Sequence, residues 1–291
     1  MRSLALAAAL VCALVCILTG SALAWGQEGH SIIAEIAQQR LSPAAAQMVA
    51  GLLKGRSLAS IASWADDVRD TRPETTQWHF VDIPLDVPTY KPTRDCKMAP
   101  DMDDCIIAEL GRLANDLHCT TGEAQTEALK FAVHFVGDIH QPLHTVAENA
   151  GGNGVAVDVF MRGLATGPTT PVTHTPTNLH VVWDSTLIQK TTWAWGAYVD
   201  RLEAGWLTSP EAWAEDPRKT PALPDADALS KWAEEAHQAA HTVWYLRPAD
   251  DVLDDRYLRD VLPILDRQLG VAGLRLARFL NAAFGSACPN H

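Results

Sequence analysis

Apolar residues recur every three to four positions along most of the chain, the spacing that lays them on one face of a helix. Ile32, Ile33, Ile36 and Ala37 follow this rule and predict an amphipathic helix over 28–40. Ser42-Pro43 opens a second helix, with serine as its cap and proline in the first turn, where no amide hydrogen is needed. The same periodicity predicts helices over 58–69, 103–117, 178–189 and 226–246. A longer apolar helix runs over 121–138 and stops near Gln141-Pro142, because proline breaks the hydrogen-bond ladder. Residues 252–284 are helical in pattern, with Pro263 as a kink or break. Residues 77–83 alternate only weakly before Pro84 and Pro88. Residues 155–160 alternate after the glycine-rich Gly151-Gly152-Asn153-Gly154, which predicts a small strand, and 163–176 reads as loop. Proline and glycine fall between helices rather than at one boundary, and no repeat is present. The expected fold is mainly α: a single compact helical domain, 25–291, with a minor β-hairpin element.

The first 24 residues obey a different pattern. Arg2 precedes an apolar run over 4–18, and Ala22-Leu23-Ala24 closes it. A basic start, a short apolar core and an Ala-x-Ala ending predict a secretory signal over 1–24, cleaved after Ala24. The run is short for a membrane span, and no other segment is apolar enough to cross a bilayer. The mature chain would start at Trp25, carry no membrane anchor, and be secreted or periplasmic. Cys12 and Cys16 leave with the signal, and Cys96, Cys105, Cys119 and Cys288 remain. An even number in an exported protein suggests two disulfides. Of the three pairings, the favoured one joins Cys96 to Cys105 around a loop rich in Pro and Asp, and Cys119 to Cys288 at the C-terminus. No pair has the Cys-x-x-Cys spacing of a zinc site.

Composition narrows the function. Hydrophobic residues at 47% and charged residues at 20% exclude a globally disordered chain. The net charge of −12 argues against a surface that coats nucleic acid without specificity. It leaves room for an enzyme whose positive charge arrives as metal ions.

The candidate chemistry lies in histidines and aspartates. His134 and Asp138 stand at i, i+4, one face of a helix, and His144 follows Pro142 closely enough to fold back toward them. His180 and Asp184 repeat the spacing. One such pair is commonly just a hydrogen bond. Two pairs, joined by Asp66 and His79 beside tryptophans in apolar segments, point to a multinuclear zinc site, since buried carboxylates are costly unless neutralised. His140 falls on another face and reads as structural, and Asp67 as solvated. His118, His174, His237, His241 and His291 have no ligand-like context. Cleavage would also free the amino group of Trp25, five residues before His30, and an α-amino group with pKa about 8 can yield its proton to a metal.

Taken as an ordered set, these segments are specific. They comprise Trp25-Gly-x-x-Gly-His30, Trp64-Ala-Asp66-x-x-Arg69, Trp78-His79-Phe80-x-Asp82, His134-Phe-x-Gly-Asp138-x-His-Gln-Pro-Leu-His144, Gly151-Gly-Asn153 and Asn178-Leu-His180-x-x-Trp-Asp184. The sequence resembles the class I nuclease/3′-nucleotidase family, zinc-dependent single-strand nucleases of the phospholipase C superfamily. The resemblance runs from Trp25 to at least Leu187, and the loop over 84–104 does not align. It implies three Zn2+ ions. One would be held by Asp66, His79, His134 and Asp138, and a second by the amino and carbonyl groups of Trp25 with His30 and Asp138. The third would be held by His144, His180 and Asp184.

It further implies Arg69 and Asp82 at the phosphate, Asn153 on the substrate and Phe80 against a base. A hydroxide between two zinc ions would attack phosphorus, and the third zinc would stabilise the leaving 3′-oxygen. Asp82 would orient or deprotonate the water, or else serve as a partner of Arg69. The expected substrates are single-stranded DNA and RNA, giving 5′-phosphorylated products, and 3′-mononucleotides; no stable protein partner is implied. The alternatives are a phospholipase C-type lipid phosphodiesterase and a non-catalytic secreted zinc-binding protein. The second would leave Arg69 and Asp82 without a task.

Overall fold

The structure is a computed structural model that describes residues 25–99, 102–167, 169–218, 222–285 and 288. The signal expected over 1–24 lies outside them. Helix α1 (Gln27–Gln38) buries Ile32, Ile33, Ile36 and Ala37, as their spacing requires. Helix α2 (Pro43–Leu52) starts under Ser42, whose side chain accepts the Ala45 N–H. The helix expected over 58–69 is instead a 3-10 turn, Leu58–Ile61, followed by the short α3 (Trp64–Asp67). The break coincides with a tertiary contact. The Ala62 carbonyl accepts a bond from His134 Nδ1 at 2.7 Å, so a side chain takes the acceptor a continuous helix would use itself.

A second 3-10 turn, Pro73–His79, gives way to extended backbone at Phe80. Then come α4 (Pro92–Asp95) and a small hairpin of β1 (Lys97–Ala99) and β2 (Met102–Asp103), bracketed by the Cys96–Cys105 disulfide. Helices α5 (Ile106–Cys119) and α6 (Gly122–Asp138) follow, and Gln141 caps a 3-10 turn at Pro142–Thr145. Strand β3 (Ala156–Phe160) turns Val157 and Val159 inward and Ala156, Asp158 and Phe160 outward. It pairs antiparallel with β4 (Thr175–Asn178) and parallel with β5 (Val252–Asp254). The loop expected over 163–176 therefore ends inside a strand. Thr175-Pro176-Thr177 lacks apolar alternation because β4 is a half-exposed edge, where proline is tolerated.

Helices α7 (Leu179–Val181) and α8 (Leu187–Thr191) are joined by a π-helical turn, Val182–Thr186. Two helices outside the sequence-predicted set follow, α9 (Trp195–Ala204) and α10 (Pro210–Ala214). Helix α11 (Ala226–Leu246) has its predicted bounds. Helix α12 (Asp255–Gly285) passes Pro263 without ending, while 252–254, expected as helix, is β5. α1 and α12 pack closely at Gly273, where an added Cβ would lie 2.5 Å from Ile36 Cγ2. Cys119 and Cys288 are bonded, so the tail beyond α12 is tied to the end of α5. Both disulfides have the favoured pairing. Among the described residues, no helix is long and apolar enough to cross a membrane.

Candidate metal centre

The end of α6 brings His134 and Asp138 to the middle of the core, both fully buried. Four ligand atoms gather there. His79 Nδ1 lies 3.0 Å from Asp138 Oδ2 and 3.2 Å from His134 Nε2. His134 Nε2 lies 3.2 Å from Asp138 Oδ2. Asp66 Oδ1 lies 3.6 Å from His79 Nδ1 and 3.7 Å from His134 Nε2. A tetrahedral zinc with ligand bonds of about 2.0–2.1 Å has ligand-to-ligand edges of about 3.3–3.4 Å. The spacings among His79, His134 and Asp138, and from Asp66 to the two imidazoles, bracket that value, so His79, His134 and Asp138 suit such an ion in size and chemistry and Asp66 lies within reach of two of them.

The other carboxylate oxygen of Asp138 faces α1, with His30 Nε2 at 3.3 Å from Oδ1. The His30 ring stacks on His134 at 3.9 Å, and His30, Asp66 and His134 can also be grouped around one ion. Trp25 is fully buried and donates its indole N–H to the Gly137 carbonyl at 3.0 Å. The next residue, Gly26, donates its N–H to the Asp184 carbonyl at 2.7 Å. The start of the described chain is thereby tied to two elements that carry candidate ligands.

The outer group comes from three elements. His144 sits on the 142–145 turn, His180 on α7 and Asp184 on the π turn. Their Nε2 atoms are 3.2 Å apart, and Asp184 oxygens lie 3.4 Å from His180 Nε2 and 3.9 Å from His144 Nε2.

The surrounding bonds orient these rings. His134, His144 and His180 each donate Nδ1–H to a backbone carbonyl, of Ala62, His79 and Gly151 at 2.7, 2.9 and 2.6 Å. That fixes the tautomer and turns the Nε2 lone pair inward, the usual arrangement around a metal-binding imidazole. Buried atoms are left without hydrogen-bond partners: both nitrogens of His30, Nε2 of His79, Oδ1 of Asp138 and Oδ2 of Asp184. Unpartnered buried polar atoms are expensive, and a cation satisfies several at once.

The electrostatics agree. Burial, then the charge of His134, pushes His30 down to about 4. Burial pushes His144 down to about 3 and His180 to about 4, and it lowers His79. These imidazoles are neutral at pH 7, the form that binds metal. His134 goes the other way, to about 9, because Asp138 and Asp66 outweigh its burial. Burial also opposes charge on Asp138, yet His134, His144 and His30 hold it well below the usual carboxylate range. Burial raises Asp184 well above that range, and the Gln141 bond offsets only part of the rise. The carboxylates draw a proton onto His134 where positive charge is wanted.

A cleft of about 430 Å³ opens above the two groups. Arg69, His79, Phe80, Asp82, His144, Asn153 and His180 all line it. Arg69 Nη1 lies 3.3 Å from Asp66 Oδ1. Asp82 is exposed, and its carboxyl is raised by partial desolvation, then by Asp95 and Glu148. Phe80 is half-buried, and Asn153 donates Nδ2–H to the Ala150 carbonyl at 2.9 Å. Two larger cavities, of about 970 and 610 Å³, contain none of the candidate ligands. His140, beside Asp138 in sequence, bonds instead to the Val136 carbonyl and to Arg275. Asp67 is exposed.

Sequence reasoning missed Gln141, which donates to Asp184 Oδ1 at 2.6 Å. Its one signal is a polar residue between two ligands, just where α6 ends. It also missed the three carbonyl acceptors, since any residue can supply a carbonyl.

A helical scaffold that buries five imidazoles and three carboxylates beneath an open cleft is that of a metal-dependent hydrolase. Comparison with known proteins narrows the class. Residues 25–285 match the S1/P1 nuclease family. The chain is similar to Endonuclease 2 of Arabidopsis thaliana, 34% identical over 283 residues that cover 90% of this chain and 91% of that protein. It is similar to Nuclease P1 of Penicillium citrinum, 31% identical over 289 residues, 90% of this chain and 98% of that protein. Nuclease S1 of Aspergillus oryzae is 28% identical over 282 residues, 88% and 91% of the two chains. The protein belongs to the S1/P1 nuclease family, hydrolases that cleave nucleic acids.

Proposed function

We propose that this chain, cut after Ala24 and exported to the periplasm or the medium, is a trinuclear-zinc nuclease. It hydrolyses single-stranded DNA and RNA to 5′-phosphorylated products and removes the phosphate of 3′-mononucleotides. The observation that carries this reading is the set of buried ligand atoms at tetrahedral-zinc spacings, beside which His30 Nε2, Asp138 Oδ1 and Asp184 Oδ2 are left without a hydrogen-bond partner. Asp66, His79, His134 and Asp138 would hold one zinc, and the Trp25 amino and carbonyl groups with His30 and Asp138 a second. His144, His180 and Asp184 would hold the third. Bound zinc supplies Lewis acidity, which makes water a nucleophile near neutral pH and offsets charge building on phosphate and the departing 3′-oxygen.

The chain's own groups do the rest. Arg69 holds a phosphate oxygen at the cleft while its contact with Asp66 fixes its direction. Asp82, raised by desolvation and its acidic neighbours, orients the attacking water and takes its proton. Phe80 stacks on a base and Asn153 bonds to the nucleotide. Stacking needs a base free of its duplex partner and reads no sequence, so single strands are preferred without base specificity. The two disulfides support export to an oxidising compartment.

The test is metal analysis of the mature protein, paired with hydrolysis of single-stranded DNA before and after chelation. About three zinc ions per chain, with activity lost on chelation and restored by zinc, is the expected result. Three zinc ions without cleavage of DNA, RNA or 3′-mononucleotides would overturn it in favour of a lipid phosphodiesterase or a zinc-storage protein. Little zinc would overturn the ligand set itself.

A further inference from the structure

Gln141 is fully buried at the junction of α6 and the 142–145 turn, and all four of its polar groups are bonded. Its backbone N–H donates to the Asp138 carbonyl at 2.9 Å, and its own carbonyl accepts the His144 N–H at 3.0 Å. Its side-chain oxygen accepts the Leu143 N–H at 2.6 Å, and its amide NH₂ donates to Asp184 Oδ1 at 2.6 Å. One residue thus touches the backbone of a deep ligand, caps the turn bearing an outer ligand, and grips the carboxylate of another.

The grip has a directional effect. Asp184 sits on a π turn, and its Oδ2 has no hydrogen-bond partner while lying 3.4 Å from His180 Nε2. Pinning Oδ1, the oxygen 3.9 Å from His144 Nε2, stops the carboxylate from rotating and leaves Oδ2 facing the His180 imidazole. A neutral amide suits this task. A lysine or arginine in its place would neutralise Asp184 and compete with the metal, and a glutamate would repel it. Asparagine is one methylene too short to span the same two partners.

We infer that Gln141 is the positioning residue of the outer metal group, setting the Asp184 carboxylate and the His144 turn with a single side chain. This rests on the trinuclear-zinc reading. The variants are Gln141→Met, close in length without side-chain hydrogen bonds, and Gln141→Glu, which keeps the Leu143 acceptor and puts a repelling carboxylate in place of the donor to Asp184. His180→Ala is the reference for loss of the outer zinc. Each mature protein, zinc-loaded, is titrated with a graded series of chelator, and bound zinc, thermal midpoint and nuclease kcat and KM are recorded.

The expected result is one zinc lost at about 10- to 100-fold lower chelator strength, the scale set by removing an outer hydrogen bond to a metal ligand. That zinc is the one missing in His180→Ala. The other two hold as in the wild type, and excess zinc restores kcat. Three zinc ions held at wild-type strength in both variants overturn the inference alone. Loss of all three in step with a lowered thermal midpoint also overturns it, reducing Gln141 to a structural residue. A wild type that binds no zinc missing from His180→Ala overturns the trinuclear reading and the inference with it.

Discussion

His180 donates Nδ1–H to the Gly151 carbonyl at 2.6 Å, and Gly151 lies within four consecutive residues in the left-handed region, Asn149 to Gly152, with φ of 49, 52, 62 and 83°. The turn is closed by Gly152 N–H to the Glu148 carbonyl and Gly154 N–H to the Asn149 carbonyl, at 3.2 and 2.9 Å. The strained loop therefore has a defined output, the direction of one imidazole toward His144 and Asp184.

Gly151→Ala should damage this output. The added Cβ would sit 2.5 Å from the Leu143 carbonyl oxygen and 3.2 Å from His180 Nδ1, at a φ that side chains rarely adopt. The left-handed conformation alone costs about 1–2 kcal/mol in a non-glycine residue. The variant should lose stability by at least that amount and hold its outer metal more weakly. Urea unfolding and zinc titration check both. Unchanged zinc affinity would separate the loop from the His180 ring.

Asp82→Asn should leave metal content intact and lower turnover by about 10²- to 10⁴-fold, the range for loss of a general base. Desolvation, Asp95 and Glu148 raise the Asp82 carboxyl. Activity should fall on acidification at a pH above that of an ordinary aspartate, as the carboxylate takes up its proton. Rate profiles of wild type and variant against pH test this. A variant with full activity and the same acid limb would remove Asp82 from proton transfer.

The Cys96–Cys105 disulfide should support the cleft as well as the fold. It closes the segment whose flanks bond to the extended stretch bearing Phe80 and Asp82: Asp82 N–H to the Asp95 carbonyl at 3.4 Å, and Ile106 N–H to the Phe80 carbonyl at 3.1 Å. Replacing both cysteines with serine should cost about 2–4 kcal/mol. It should also raise KM for single-stranded DNA with zinc content unchanged. An unaltered KM would confine the disulfide to stability.

Glu215 gives a pH dependence of stability remote from the candidate metal ligands. Burial opposes its charge, but Arg275 at 2.9 Å and Arg278 at 2.9 Å outweigh burial and hold its carboxyl below the ordinary value. A lowered folded-state pKa means stability present above the unfolded pKa and lost as pH falls through the folded one. Glu215→Gln should destabilise by about 1–3 kcal/mol near pH 7, as for a charged hydrogen bond. The difference should shrink toward pH 3. A cost independent of pH in denaturant titrations would assign it to packing instead.

If Trp25 begins the mature protein and its amino group binds the proposed second zinc, placing a residue before it should displace that amino group. Trp25 is fully buried and its indole is anchored to Gly137, so the chain start has little freedom to accommodate the extension. Zinc should fall by about one per chain, with activity falling in step. Full activity with three zinc ions would exclude Trp25 as a ligand.

Helical periodicity made α1, α6 and α11 legible because each buries one continuous apolar face, a property local to the segment. The i, i+4 spacing did the same for His134 with Asp138 and His180 with Asp184. The broken helix over 58–69 was not legible, since the His134 ring that takes the Ala62 carbonyl arrives from 72 positions away. Nor was β4, whose polar residues become a strand only because β3 offers them an edge.

The helical class follows from apolar spacing along the chain and the family from the resemblance of its ordered motifs, while the sequence favoured one of three disulfide pairings, which the structure then shows. Which two oxygens of Asp138 face which histidines, how Gln141 holds Asp184, and where Arg69, Phe80 and Asp82 meet in one cleft were decided only by packing. Those relations join residues tens of positions apart. Those at Asp138, Gln141 and Asp184 exist only once burial has removed water as the competing partner of their polar atoms.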